Sequence, residues 1–186
     1  MTMAPDLGSS GVDLTVRLLM APTALARLTR SEASLIVGLM TPAHFKSGTC
    51  FIREGDATDN GFMALVVQGE VVVENIIVSR TTPITTAVLG PGCLVGEMGL
   101  IDEGPRSASC TAGTDAYCAV LTRDAFYSLI VKEPALAAKL LLGVSTLIAA
   151  RNRESLQKLK LYASLCQTMQ WEVDDMQRQV ARQTAA

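Results

Sequence analysis

The middle of the chain alternates short apolar runs with turn-forming residues, whereas both ends carry apolar residues at helical spacing. Between about residues 43 and 122, pairs such as Asn60-Gly61 and Gly104-Pro105 recur roughly every 8–12 residues. The β-branched runs between them cover 64–67, 71–78, 84–89 and 117–121. Many short strands at this rhythm predict an antiparallel β-sandwich or barrel rather than a parallel sheet with crossover helices.

Helical spacing predicts two helices before the strands, over 14–28 with a break at Pro22 and over 31–40. Thr29 and Glu32 have the spacing of a capping box at the start of the second. After the strands, Thr122 can cap a helix over 123–132, and Pro134 suits an early position in the next helix. Residues 135–186 contain no proline and one glycine, which predicts a single long C-terminal helix.

Two apolar stripes run along this long helix, separated by the polar segment ARNRES at 150–155. The first stripe consists of Leu136, Leu140, Val144 and Leu147, and suits packing on the strand domain. The second consists of Tyr162, Leu165, Met169, Val173, Met176 and Val180. Because no core is left in the chain for the second stripe, it predicts a symmetric homodimer through this helix. A helix folded back on its own barrel is the alternative.

Residues 1–12 are rich in Pro, Gly and Ser, so we expect a flexible leader there. A domain over 13–134 and the C-terminal helix over 135–186 follow. The apolar share of 49% allows a real core, and the net charge of −2 gives no overall basic face for nucleic acid. Five scattered cysteines without C-x-x-C spacing are expected to be buried residues in a reducing compartment.

The N-terminus lacks the basic and apolar regions of a signal peptide. The richest apolar run, 135–150, is broken by Lys139 and is short for a membrane span. The sequence therefore predicts a cytoplasmic protein without a membrane segment.

The segment VGEMGLIDEGPRSAS at 95–109 carries the candidate chemistry. Residues 96–100 can form one helical turn whose N–H groups favour an anion. Arg106 presents a planar fork of donors that suits two phosphate oxygens, and Ser107 adds a hydroxyl. Ionised Glu97 suits the hydroxyls of a sugar. Together these residue types indicate phosphate plus ribose, although a plain Glu97–Arg106 salt bridge among turn glycines is an open alternative.

The same segment resembles the phosphate-binding cassette of the cyclic-nucleotide-binding domain family, which reads G-E-x-small-L followed by P-R-small-A-S/T. The matching residues are Gly96, Glu97, Gly99, Leu100, Pro105, Arg106, Ser107, Ala108 and Ser109. REGD at 53–56 and GEVVV at 69–73 are similar to the opening strands of the family. The likeness covers about residues 14–160.

This resemblance implies a mostly β, α+β fold: a jelly-roll β-barrel with N-terminal helices and a long C-terminal helix. It implies that Arg106 pairs with the cyclic phosphate of the ligand and that Glu97 accepts from the ribose 2′-hydroxyl. The remaining predicted cassette residues are Gly96, Met98, Gly99, Ser107 and Ala108.

In the catabolite-activator branch of the family, polar residues of the long helix reach the purine from both subunits of a dimer. Arg151 and Asn152 match those positions by an ungapped count from Arg106. A solvated helix face is an equal alternative for both residues, and Asn152 suits adenine as well as guanine.

The sequence thus predicts a receptor for a cyclic nucleotide, cAMP first and cGMP second, that uses no cofactor or metal. It would signal through its C-terminal helix to an unidentified protein partner. An enzyme is disfavoured, since the single His44 cannot supply the histidine set of a metal-dependent barrel enzyme.

Direct DNA binding is not expected either, because residues 151–186 carry six basic and four acidic residues and no helix-turn-helix pattern. Two other functions remain open. One is a ligand-free dimeric scaffold with a relic cassette, and the other is a transcription regulator acting with a separate DNA-binding chain.

Overall fold

The computed structural model describes residues 2–3, 8–58, 61–75, 84–102 and 104–184, which form two units, Met1–Leu147 and Ile148–Ala186. The strands are β1 (Thr2–Met3), β2 (Thr41–Phe45), β3 (Cys50–Ile52), β4 (Phe62–Gln68), β5 (Val71–Asn75), β6 (Ile84–Leu89), β7 (Leu94–Val95), β8 (Ser109–Ala112) and β9 (Ala116–Thr122). The helices are α1 (Gly8–Leu19), α2 (Arg30–Val37), α3 (Met98–Ile101), α4 (Arg123–Lys132) and α5 (Pro134–Thr184).

The strands pair antiparallel in two sheets, one in the order β1-β2-β9-β4-β7 and the other in the order β3-β8-β5-β6. This arrangement confirms the predicted α+β jelly-roll class. The strand predicted at 84–89 has the predicted bounds, and β4 and β9 extend one or two residues beyond theirs at each end. Of the strand predicted at 71–78, residues 76–78 lie outside the described part of the chain.

The core between the sheets is built from residues of both. It contains Ala43, Phe45, Ile52, Ala64, Val66, Val71, Val95, Cys110, Ala112, Ala116, Cys118 and Val120. Strand β4 is buried on both faces, because Ala64 and Val66 point into this core while Met63 and Leu65 are fully buried on the opposite face. Helices α1 and α3 pack against β4. The cassette helix is therefore attached to the most deeply buried strand.

Threonine caps begin two of the helices, as predicted. The N–H of Glu32 donates to Thr29 Oγ1 at 3.3 Å while the N–H of Thr29 donates to Glu32 Oε2 at 2.9 Å, which completes the capping box of α2. Thr122 Oγ1 accepts from the N–H of Ala125 at 3.2 Å and caps α4. Helix α2 ends at Val37, three residues before its predicted end.

Helix α1 begins at Gly8, inside the stretch expected to form a leader, whereas residues 4–7 lie outside the described part of the chain. The flexible leader and the domain boundaries at 12 and 134 stay predictions.

Helix α5 runs unbroken for 51 residues, which confirms the long C-terminal helix. Within the first unit, Leu136, Leu140 and Val144 of the first apolar stripe are buried. Lys139 Nζ lies 2.6 Å from Glu32 Oε1 and joins α5 to α2. This ion pair attaches the start of α5 to α2.

By length and composition alone, α5 could cross a membrane, since its most apolar 18-residue window has a mean hydropathy of 1.4. A core helix of a soluble protein meets the same criterion. Because Leu136, Leu140 and Val144 are buried inside the first unit, the apolar character of this window is weak support for a membrane span.

Candidate functional site

Arg106 is buried, with 5% of its surface exposed, and its position is fixed by main-chain groups. Its own N–H donates to Asp56 O at 2.9 Å, and its carbonyl accepts from the N–H of Gly55 at 2.8 Å. Nη1 of its guanidinium donates to Phe62 O and to Gly96 O, both at 3.0 Å. Cζ stands 4.4 Å from the centroid of the Phe62 ring, within cation–π range. The guanidinium plane is therefore set by two carbonyls and one aromatic face.

Gly96 has room for no side chain because Arg106 occupies that space. Its φ is +69°, in the left-handed region that glycine tolerates. A Cβ at this position would lie 2.9 Å from Arg106 Nη1, 2.9 Å from Ile52 Cδ1 and 3.2 Å from Phe62 O. The glycine of the cassette is thus required by the arginine of the cassette as well as by the turn.

Glu97 is a buried acidic residue, 5% exposed, at the N-cap position of α3. Its main chain is helical, with φ −63° and ψ −29°, and its carbonyl accepts from the N–H of Leu100 at 3.2 Å. Its carboxylate makes no capping hydrogen bond to the described amides of α3. Glu97 directly follows Gly96, whose carbonyl accepts from Arg106, so the fold brings the two predicted charged residues to one place.

The other cassette residues line the surface beside this buried pair. Gly99 is buried, Ala108 is half-buried, and Met98 and Ser107 are exposed. Ser107 Oγ donates to Met98 Sδ at 3.5 Å, and the Ser107 carbonyl accepts from Asn75 Nδ2 at 2.6 Å. The seven predicted cassette residues thus lie in the segment from Gly96 into α3 and in the loop that precedes β8.

Two residues at this site, Phe62 and Arg123, were missed from the sequence. Phe62 contributes a carbonyl and a ring, which no motif marks. Arg123 is the first residue of α4, and its Nη2 donates to Gly99 O at 2.6 Å and also to Asp102 O. A cation in the first turn of a helix opposes the helix dipole, and that mismatch is the signal that could have identified Arg123.

Arg151 and Asn152 lie on α5 in the second unit, where Arg151 is half-buried and Asn152 is exposed. A hydrogen bond from Lys158 lowers the pKa of Glu154, and the nearby charge of Arg151 adds slightly to that lowering. Contact of Arg151 and Asn152 with a purine stays a prediction.

Known proteins share both the sequence pattern and the fold. The family model for the cyclic nucleotide-binding domain matches residues 42–133. The cyclic AMP receptor protein of Thermus thermophilus is 44% identical over 77 residues, which are 41% of this chain and 34% of that protein. The CRP-like cAMP-activated global transcriptional regulator of Mycobacterium tuberculosis is 28% identical over 120 residues, 64% of this chain and 49% of the regulator.

Among solved structures, a cyclic nucleotide-binding domain from Methylobacillus flagellatus superimposes with a TM-score of 0.70 at 31% identity. The match covers 80% of this chain and 82% of that domain. By contrast, the chain spans about a third to a half of the length of the curated relatives that it matches. The two antiparallel sheets, the assembled cassette and these similarities show that the chain belongs to the cyclic nucleotide-binding domain family.

Proposed function

We propose that this chain is a receptor for a cyclic nucleotide, with cAMP as the preferred ligand and cGMP as the second candidate. The anchored guanidinium of Arg106 carries the proposal. Because main-chain carbonyls and the Phe62 ring orient this cation, little conformational entropy is lost when it pairs with the cyclic phosphate. The preference for cAMP follows the names of the two bacterial relatives.

The other cassette residues complete the proposed site. Glu97, placed next to Gly96 in the chain, would accept from the ribose 2′-hydroxyl. Gly96 and Gly99 would let the ligand approach the main chain closely, and Ser107 would donate to a phosphate oxygen. Met98 and Ala108 would border the bound ligand from the exposed side of the same segment.

The second unit supports the dimer in this proposal. Exposed apolar residues recur at spacings of three and four along α5, namely Leu159, Tyr162, Cys166, Met169, Val173 and Met176. This spacing is that of the seam of a two-stranded coiled coil, and it takes Cys166 in place of Leu165 of the predicted stripe, which lies at the edge of the seam. Asn152 lies seven residues before Leu159, on the same seam. We infer a homodimer through this seam, with Arg151 and Asn152 near the purine.

In this proposal the chain senses the nucleotide and performs no catalysis. Binding would shift the equilibrium between two arrangements of the helices, which needs only a difference in ligand affinity between them. A protein partner in the cytoplasm would then respond to the position of α5. The chain itself would contact neither DNA nor a membrane.

Calorimetric titration tests the ligand. We would titrate cAMP, cGMP and cyclic di-GMP into the wild type, Arg106→Gln and the control Arg53→Gln, whose arginine is exposed on the neighbouring loop. We expect Arg106→Gln to lower cAMP affinity roughly 10- to 100-fold, since hydrogen bonds to charged groups contribute about 1.5–3 kcal/mol. Arg53→Gln should bind like the wild type.

Equal affinities for the wild type and Arg106→Gln would contradict the proposed site. A wild type that dimerises but takes up none of the three nucleotides would instead favour the scaffold with a relic cassette.

A further inference from the structure

Arg123 belongs to one helix and binds the end of another. It follows the N-cap Thr122 as the first residue of α4, and its Nη2 donates to the carbonyls of Gly99 and Asp102. Those carbonyls lie at the C-terminal end of α3, where the helix dipole favours a cation. The guanidinium of Arg123 is therefore unfavourably placed with respect to the dipole of its own helix and favourably placed at the end of α3.

Helix α3 depends on such external contacts because it has four residues, far too few to be stable alone. At the ends of this short helix, the N–H of Leu100 donates to Glu97 O at 3.2 Å and the N–H of Asp102 donates to Met98 O at 3.0 Å. At the other end, the carboxylate of Glu97 does not cap the described amides of the helix. Arg123 therefore adds two hydrogen bonds from another helix to the packing of α3 on β4.

The two arginines of this region bind consecutive carbonyls where β4 begins. The N–H of Arg123 donates to Gly61 O at 2.6 Å, and Nη1 of Arg106 donates to the next carbonyl, Phe62 O, at 3.0 Å. A continuous series of hydrogen bonds thus joins Arg106, the start of β4, Arg123 and α3. Helix α4, which Arg123 begins, is separated from α5 by Glu133 alone.

We propose that Arg123 is a positioning residue that holds the cassette helix α3 to the start of α4. A displacement of α3 when the ligand binds is thereby carried into α4. The second statement rests on the proposed function, because it requires a nucleotide at the cassette, whereas the first is a property of the chain without ligand.

Hydrogen exchange of the full chain without nucleotide tests the first statement. The variants are Arg123→Met, Arg123→Lys and the matched control Arg30→Met, because Arg30 is also the first residue of a helix behind a threonine cap but pairs with Asp13 at the surface. We expect amide exchange of peptides covering α3 to rise about tenfold in Arg123→Met. Exchange should rise less in Arg123→Lys, which keeps a cationic donor, and should not rise in Arg30→Met.

Unchanged exchange of α3 in Arg123→Met would overturn the proposal. So would an equal increase in Arg30→Met, because that result would indicate a general loss of stability. If Arg123→Met does not fold, as judged by circular dichroism, the exchange of α3 in Arg123→Lys is compared with that in Arg30→Met. An increase that is absent or equal in the two variants would then overturn the proposal.

Exchange at saturating cAMP tests the second statement. In the wild type we expect both α3 and α4 to exchange more slowly with nucleotide, whereas in Arg123→Met we expect protection of α3 without protection of α4. If nucleotide slows the exchange of α4 in Arg123→Met as much as in the wild type, the transmission role is overturned. A wild type that binds no cyclic nucleotide would refute the proposed function and the transmission role, while exchange without ligand would still decide whether Arg123 positions α3.

Discussion

Gly96 and Arg106 occupy complementary space. The carbonyl of Gly96 accepts from Arg106 Nη1 at 3.0 Å, and a Cβ on Gly96 would lie 2.9 Å from the same nitrogen. One residue therefore both binds the arginine and leaves room for it.

The substitution Gly96→Ala tests this relationship. We expect a loss of stability of about 1–2 kcal/mol, since φ at this position is +69° and a left-handed conformation costs an L-residue that much. Nucleotide affinity should fall at least about tenfold because Arg106 must shift away from the new methyl group. Urea unfolding and calorimetric titration measure the two effects.

Gly90→Ala is the control for this substitution, because Gly90 has open space around it and no left-handed backbone. If Gly96→Ala binds nucleotide as tightly as the wild type, Arg106 does not need its close contact with Gly96 to bind the ligand.

Acid should weaken the attachment of α5 to α2. The hydrogen bond from Lys139, followed by the N–H of Thr29, lowers the pKa of Glu32 from 4.5 to about 2. Because the folded pKa lies below the unfolded one, the stabilisation is complete above about pH 4.5 and is lost as the pH falls towards 2. The difference in urea midpoint between the wild type and Glu32→Gln should therefore be largest near pH 7 and should become small as the pH falls below 3.

Glu154→Gln removes a carboxylate that pairs with Lys158 at 2.8 Å in the second unit, so it serves as the control. It should leave the unfolding of the first unit unchanged at every pH. A constant difference between the wild type and Glu32→Gln from pH 7 to pH 2 would contradict the assignment.

The five cysteines should react with thiol reagents at different rates, according to their burial. Burial raises the pKa of Cys118 to about 12, so its thiol stays protonated at pH 8, and Cys110 is equally buried in the core. Iodoacetamide at pH 8 should label the exposed Cys50 first, as read by peptide mass spectrometry, and should label Cys166 equally fast only in the monomer, because the proposed seam covers Cys166 in the dimer. Labelling in guanidinium chloride should reach all five, and rapid native labelling of Cys118 would show that the core is open.

Oxidation should link two chains through Cys166 if the seam forms the proposed dimer. In a parallel in-register coiled coil, Cys166 faces its own copy across the axis. We expect copper-phenanthroline to produce a disulfide-linked dimer from Cys50→Ser, which lacks the other exposed thiol. In the same Cys50→Ser background, the changes Cys166→Ser and Ser164→Cys place the thiol on the outer face of the helix, so this variant should stay monomeric on a non-reducing gel.

Two extra observations make this experiment decisive. Val173→Cys in the Cys50→Ser, Cys166→Ser background should also cross-link, since residue 173 is one heptad further along the seam. A monomer in sedimentation at micromolar concentration, or equal cross-linking through position 164, would refute the seam.

Features with local causes were predictable from the sequence. The strand at 84–89 is a β-branched run, and the caps at Thr29 and Thr122 depend on residues three positions away. Exposure was harder to predict, because it depends on the whole fold. The expectation of buried cysteines is right for Cys110 and Cys118 and wrong for Cys50 and Cys166.

The site was predictable as a motif but not as a geometry. The seven cassette residues stand within 13 consecutive positions, so their pattern is visible in the sequence. Two of the three groups that orient Arg106 come from Phe62, which is 44 positions away, and one of these is a carbonyl that any residue could offer. Arg123 was missed for the same reason, since its acceptors at Gly99 and Asp102 are also main-chain oxygens.

Main-chain anchoring has an evolutionary consequence. The carbonyls of Phe62 and Asp102 accept hydrogen bonds from the two arginines, and every amino acid has a main-chain carbonyl. A mutation at either position therefore does not remove the acceptor. Arg106 and Arg123 have no such latitude, because their contacts come from the guanidinium itself. Sequence divergence should therefore be tolerated at Asp102, which offers only its carbonyl, and selected against at the two arginines and at Gly96.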